Sequence, residues 1–198
     1  MSIVLVGSSS GSITLQEPAV AGTTTLNLPA TSGTVVVTGT TPSLNGITFP
    51  ATQVPSADAN TLDDYEEGTF LASYGGSGGN PTVSYIRRAG RYVKIGQFVQ
   101  ITIEMQTSSV SGGSGSLQIL GLPFTSLNDR YTGVGVTGYA DTFVSQAPRA
   151  GYVGINDNTI WLTFANSATT QEPNVVSNLS TGSTANYLIF TATYRALA

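Results

Sequence analysis

From residue 69 onward the chain is a succession of short runs in which apolar and polar residues alternate or β-branched residues cluster, cut by turns bearing Gly, Asn and Ser. A side-chain period of two suits a strand with one buried face and is at odds with the three-and-four spacing of a helix. The runs fall at residues 70–74, 82–87, 90–95, 98–105, 116–121, 133–139, 150–155, 159–164 and 185–194. Short strands at such regular intervals predict an all-β domain, a β-sandwich of jelly-roll type. Residues 151–164 read as the clearest hairpin, with Asn156-Asp157-Asn158 between two alternating stretches. The last run sets Tyr187, Ile189, Thr191 and Thr193 against Leu188, Phe190, Ala192 and Tyr194, as a strand with two differently clothed faces would.

The opening of the chain has a different character. Ile13-Thr14-Leu15, Leu26-Asn27-Leu28 and Val35-Val36-Val37 recur at a spacing of about a dozen residues, a weak internal repeat of short strands. Large apolar groups are few, and no aromatic residue precedes Phe49. Ordering a backbone costs about 1–2 kcal/mol per residue, and small side chains bury too little area, at roughly 25 cal/mol per Å², to offset that alone. Residues 1–46 are therefore predicted to be an extended β-rich arm that copies of the chain wind together. Ile13, Leu15, Leu26, Leu28, Val35 and Val37 are its expected assembly contacts. Residues 47–68, with Pro50, Pro55 and a run of turn formers and acids, read as a linker. Residues 69–198 are left as the sandwich domain.

Composition narrows the function. Charged residues are 9 % of the chain where about a quarter is usual, while Ser and Thr supply roughly a quarter, so the surface is largely neutral. A net charge of −4 with only 7 Lys and Arg offers no positive field for a phosphate backbone, which argues against nucleic acid as a partner. His and Cys are both absent, which removes the commonest general base, thiol nucleophiles and the usual nitrogen and sulfur metal ligands. No apolar run approaches the roughly 20 residues of a membrane-spanning helix, and no membrane partner is expected. The chain is expected to be neither an enzyme nor a cofactor protein.

Several side-chain groups invite a closer reading. Asp63, Asp64, Glu66 and Glu67, with Asp58, supply oxygens for a cation, but their spacing lacks the Asp-x-Asn-x-Asp-Gly pattern of a calcium loop, and no metal site is assigned. Their expected role is charge pairing between neighbouring subunits with Arg87, Arg88, Arg91 or Lys94, set against the plainer reading of a solvated linker. Asp129, Asp141 and Asp157 lie in separate predicted loops with nothing to mark a two-carboxylate glycosidase pair. Tyr139, Tyr152 and Trp161, with Tyr131, are candidate glycan contacts, because aromatic faces suit sugars; core packing is the competing reading. Gly75 to Gly79 and Gly112 to Gly115 are Gly-rich but lack the Lys and helix of a phosphate cradle, and read as mobile hairpin tips.

Two stretches resemble known modules. The run from Gly11-Ser12-Ile13-Thr14-Leu15-Gln16 through Pro18-Ala19-Val20-Ala21-Gly22-Thr23 to Leu28-Pro29-Ala30 and Gly33-Thr34-Val35 resembles a segment of phage virion proteins, tail-fibre and head-decoration polypeptides among them. Asn60-Thr61-Leu62-Asp63-Asp64-Tyr65-Glu66-Glu67-Gly68-Thr69-Phe70, then Gly90-Arg91-Tyr92-Val93-Lys94-Ile95-Gly96 and Gly121-Leu122-Pro123-Phe124, is similar to a β-rich C-terminal module of phage structural proteins, including those of cyanophages. The resemblance implies a non-enzymatic homotrimer on the virion, assembled in the host cytoplasm. Few other sequences accompany the modules here, which favours a capsid-decorating cement or head-fibre protein touching the major capsid protein or other virion proteins. A tail-fibre or tailspike adhesin binding host surface glycan is the alternative.

Overall fold

A computed structural model describes residues 2–6, 12–16, 49, 62, 64–129 and 133–197. The chain divides into two compact units, Met1–Ile47 and Thr48–Ala198. In the first, β1 (Ser2–Val6) and β2 (Ser12–Gln16) pair antiparallel with Ile3 opposite Leu15 and Leu5 opposite Ile13. Leu26, Leu28, Val35 and Val37 lie outside the described residues, as do Asp63, Arg130 and Tyr131.

The second unit is one antiparallel sheet of ten strands curled on itself. They are β3 (Tyr65–Phe70), β4 (Ser73–Gly76), β5 (Thr82–Ile95), β6 (Phe98–Ser111), β7 (Leu117–Leu120), β8 (Val134–Asp141), β9 (Ala150–Val153), β10 (Thr159–Ala165), β11 (Gln171–Pro173) and β12 (Ala185–Arg195). Across the sheet the order is β3-β5-β6-β12-β8-β9-β10-β7-β4, with β11 on β10. The fold is thus all-β and sandwich-like, as the alternating runs predict. Among the described residues the one helical turn is a 3₁₀ turn at Val176–Asn178.

The concave side holds the core, and alternation puts it there. Val99, Ile101, Ile103 and Met105 of β6 are fully buried, and the residues between them face outward. Leu188, Phe190, Ala192 and Tyr194 of β12 lie against them, closed over by Leu117 and Ile119 of β7 and Ile160 and Leu162 of β10. Space for the Phe190 ring comes from two glycines opposite each other on β8 and β9, Gly135 and Gly151. A Cβ on Gly135 would stand 2.4 Å from that ring, and one on Gly151 3.2 Å from it. The curl brings the last strand of the path back to its second. The Tyr74 N–H donates to the Tyr85 hydroxyl at 2.7 Å and the two rings stack 6.4 Å apart.

Three features depart from the sequence reading. Residues 65–68, read as the end of the linker, form the first part of edge strand β3, because their extended backbone pairs in register with residues 92–95. The run at 70–74 is split, with Phe70 ending β3 at one end of the sheet and Ser73 starting β4 at the other. The Arg88 guanidinium holds the crossing by donating to the Leu71 and Ala72 carbonyls. The two Gly-rich stretches are bound to each other: Ser77 N–H to Ser116 O and Gly78 N–H to Ser114 O at 3.1 Å, and Ser114 N–H to Gly79 O at 2.9 Å. Glycine is needed for that approach, since a Cβ on Gly76 would lie 2.5 Å from the Ser114 carbonyl.

Candidate interaction surface

The stretches that carry the phage resemblance in this domain converge on the concave side, at the edge where β3 meets β5. Register sets Glu66 opposite Lys94, Gly68 opposite Tyr92 and Phe70 opposite Gly90. Each glycine is covered by the aromatic ring across from it, so two close strands share one layer of rings. Phe124, from the third stretch, meets Tyr92 edge-to-face at 5.1 Å and lies 5.4 Å beneath the Lys94 ammonium. Lys94 is buried and bonded to the buried Asp64 carboxylate. Tyr92 donates to Glu66, and the Phe124 carbonyl accepts from Tyr194 at 3.1 Å. These motifs therefore encode a structural clasp that fixes the edge strand.

The convex side is built differently. Opposed residues in antiparallel strands share a face, so the register defines rows across the sheet. One row runs Glu67, Val93, Gln100, Thr193, Val134, Tyr152, Trp161 over seven strands. The next runs Thr69, Arg91, Thr102, Thr191, Val136, Ala150, Thr163. A third holds Ala89, Glu104, Ile189 and Tyr139, and a fourth, beyond the first, holds Tyr65, Ile95, Phe98 and Arg195. Several large apolar groups are exposed here: Val134 67 %, Val136 58 %, Phe98 49 %, Tyr139 48 %, Ile95 47 %, Tyr152 46 %. Charges stand at the margins, and from Gln100 and Thr102 across to Val134 and Val136 the two central rows carry none.

The candidate site residues distribute over both sides. The expected acid-to-base pairs have partners within the chain: Asp64 holds Lys94, Glu66 accepts from Tyr92, and Glu67 accepts from Tyr65 at 2.9 Å. Arg87 meets Glu104 at 3.0 Å and lies over the Tyr187 ring, while Arg88 lies over Tyr85 as it grips the 71–72 crossing. Arg91 sits exposed on the convex face between Thr69 and Thr102. Asp64 and Glu66 face the concave side and Glu67 the convex one, so the acids do not converge on a shared point. Of the candidate glycan contacts, Tyr152 and Trp161 are neighbours with near-parallel rings 6.4 Å apart. Tyr139 lies rows away, packed edge-on against Tyr187 at 5.4 Å. Sequence reasoning missed Val93, Phe98, Val134, Val136 and Ile189 as a set, although alternation within each strand already placed them opposite the core.

Tyrosines respond to both sides. The carboxylate of Glu66, which accepts the Tyr92 hydroxyl, pushes that phenol up to about 12. Burial raises Tyr74 and Tyr194, and Tyr187 is raised by its bond to Glu104.

No family model matches the chain. No curated protein matches it either. Among solved structures it is similar to the Dettilon tailspike protein, with a TM-score of 0.50 and 17 % identity over 66 % of this chain and 24 % of that one. The chain thus spans about a quarter of the tailspike's length, and at this identity the likeness is one of fold.

Proposed function

We propose that the chain is a structural protein of a bacteriophage particle, without enzymatic activity, working as a homotrimer that decorates the capsid as a cement or head-fibre protein. The observation that supports its coarser part, a phage structural protein, is the fold it shares with a phage tailspike over two-thirds of this chain. The absence of His and Cys and the neutral surface support a role in assembly over catalysis. The mechanism is burial: a protein that binds the assembled shell and not its dissociated subunits stabilises the shell by mass action. Its partners are its own copies and the major capsid protein or another virion protein.

A second reading, a tail-fibre or tailspike adhesin for host surface glycan, is favoured by one observation, the paired rings of Tyr152 and Trp161 on the open face. Purified protein mixed with empty capsids and with host cells separates the two. The decoration reading expects co-sedimentation with capsids and a higher capsid melting temperature. Adsorption to cells alone, abolished by Trp161→Ala, would reject it for the adhesin.

A further inference from the structure

We infer that the convex face of the sheet, centred on Val134, Val136, Thr191 and Thr193, is where copies of this chain meet. The inference rests on the proposed homo-oligomeric reading and deepens it, since that reading had placed the contacts in the arm. Solvent-facing positions of a stable sheet are normally polar, yet here Val134 and Val136 of β8 and Tyr152 of β9 stand exposed side by side, with Thr191 and Thr193 of β12 next to them. Apolar patches beyond a few hundred Å² on a soluble protein mark contact surfaces.

Three considerations commit the face to a second copy. The first is area: seven strands about 4.8 Å apart and rows covering roughly 20 Å along them give on the order of 600 Å² per copy. Around a threefold axis each copy divides its face between two neighbours, and three such faces bury about 1,800 Å² in all, well above the roughly 1,000 Å² that separates specific association from packing contacts. The second is charge. A chain of net charge −4 repels its own copies wherever its charges face, and from β6 across to β10 the two central rows carry none. Both signs stand at the rim, Glu67 and Glu104 against Arg91 and Arg195, as an interface of charge-poor centre and polar border requires. The third is shape. Valine and threonine side chains on a pleated sheet stand in ridges that interdigitate with those of a neighbouring surface, and this chain presents such ridges itself.

The full chain contains no cysteine, so a single introduced thiol reports the face cleanly. Val136→Cys places one at its centre, and Ser167→Cys places a control in an exposed turn. With about nine-tenths of the chains assembled, as measured by sedimentation, maleimide should label Val136→Cys about tenfold more slowly than the control, and dilution to single chains should erase the difference. Val136→Arg should weaken association at least about tenfold with its far-ultraviolet circular dichroism unchanged. Equal labelling in an assembled sample, or undiminished assembly of Val136→Arg, overturns the inference and leaves the oligomeric reading intact, with the face then free for capsid or glycan. A wild-type chain that stays single at every concentration overturns the oligomeric reading itself.

Discussion

Asn186 shows how much one residue can settle. It is fully buried, adopts a left-handed backbone with φ of 50°, and sits where the β12 register slips against β6. Its amide donates to Thr107 Oγ1 and the Ser180 carbonyl, both at 2.8 Å, and its Oδ1 accepts from the Ser180 N–H at 2.7 Å. Asn186→Leu keeps the branched outline but is bulkier, leaves those groups unpaired and adds backbone strain, so it should cost about 3 kcal/mol or more in urea unfolding. The Lys94–Asp64 pair behaves by a similar rule. Lys94→Met alone strands a buried carboxylate and should cost about 3–5 kcal/mol, while Lys94→Met with Asp64→Leu should regain most of that in the same assay. Tyr92 sets an alkaline limit: its folded value of about 12 lies above the unfolded value of about 10. The native state thus holds the phenolic proton more tightly, and this stabilisation, complete below pH 10, fades as the pH climbs toward 12. Melting temperature against pH should fall across that window, and less steeply in Tyr92→Phe.

At the scale of elements, alternation was the reliable guide, and it failed where a strand stays mostly exposed or where pairing crosses long stretches of sequence. The runs at 98–105, 159–164 and 185–194 were legible because every second residue enters the core. Strand β3 was not, because its Tyr, Glu and Gly residues look like a turn until Gly68 and Phe70 are set opposite Tyr92 and Gly90, 24 and 20 residues away. The short β11 is held by Gln171 donating to Thr163 Oγ1 at 2.7 Å, a contact that local pattern does not encode. The glycines of β8 and β9 carry a sharper consequence. Gly135→Val should drive a side chain into Phe190 and the Thr191 carbonyl, which a Cβ would approach to 2.7 Å, and lower stability by about 1–3 kcal/mol or more. Exposed Gly138 on the same strand, where a Cβ meets nothing nearer than 3.7 Å, should accept Ala with far less loss in thermal melting.

For the whole molecule, sequence reasoning expects partner chains and places their contacts in the arm, since residues 1–46 are poor in bulky side chains. The contact proposed on the convex face was hidden from sequence because Val93, Val134, Val136 and Ile189 come from three strands and form a surface only once the registers are set. Arm and face make separable predictions: Leu26→Ser with Leu28→Ser should weaken assembly through the first, Val136→Arg through the second. The account depends above all on the chain working as an assembly of its own copies, and sedimentation equilibrium of the full chain measures that directly. Three chains of 20.4 kDa should sediment as one species of about 61 kDa. A mass that remains at 20.4 kDa across the concentration range would contradict it.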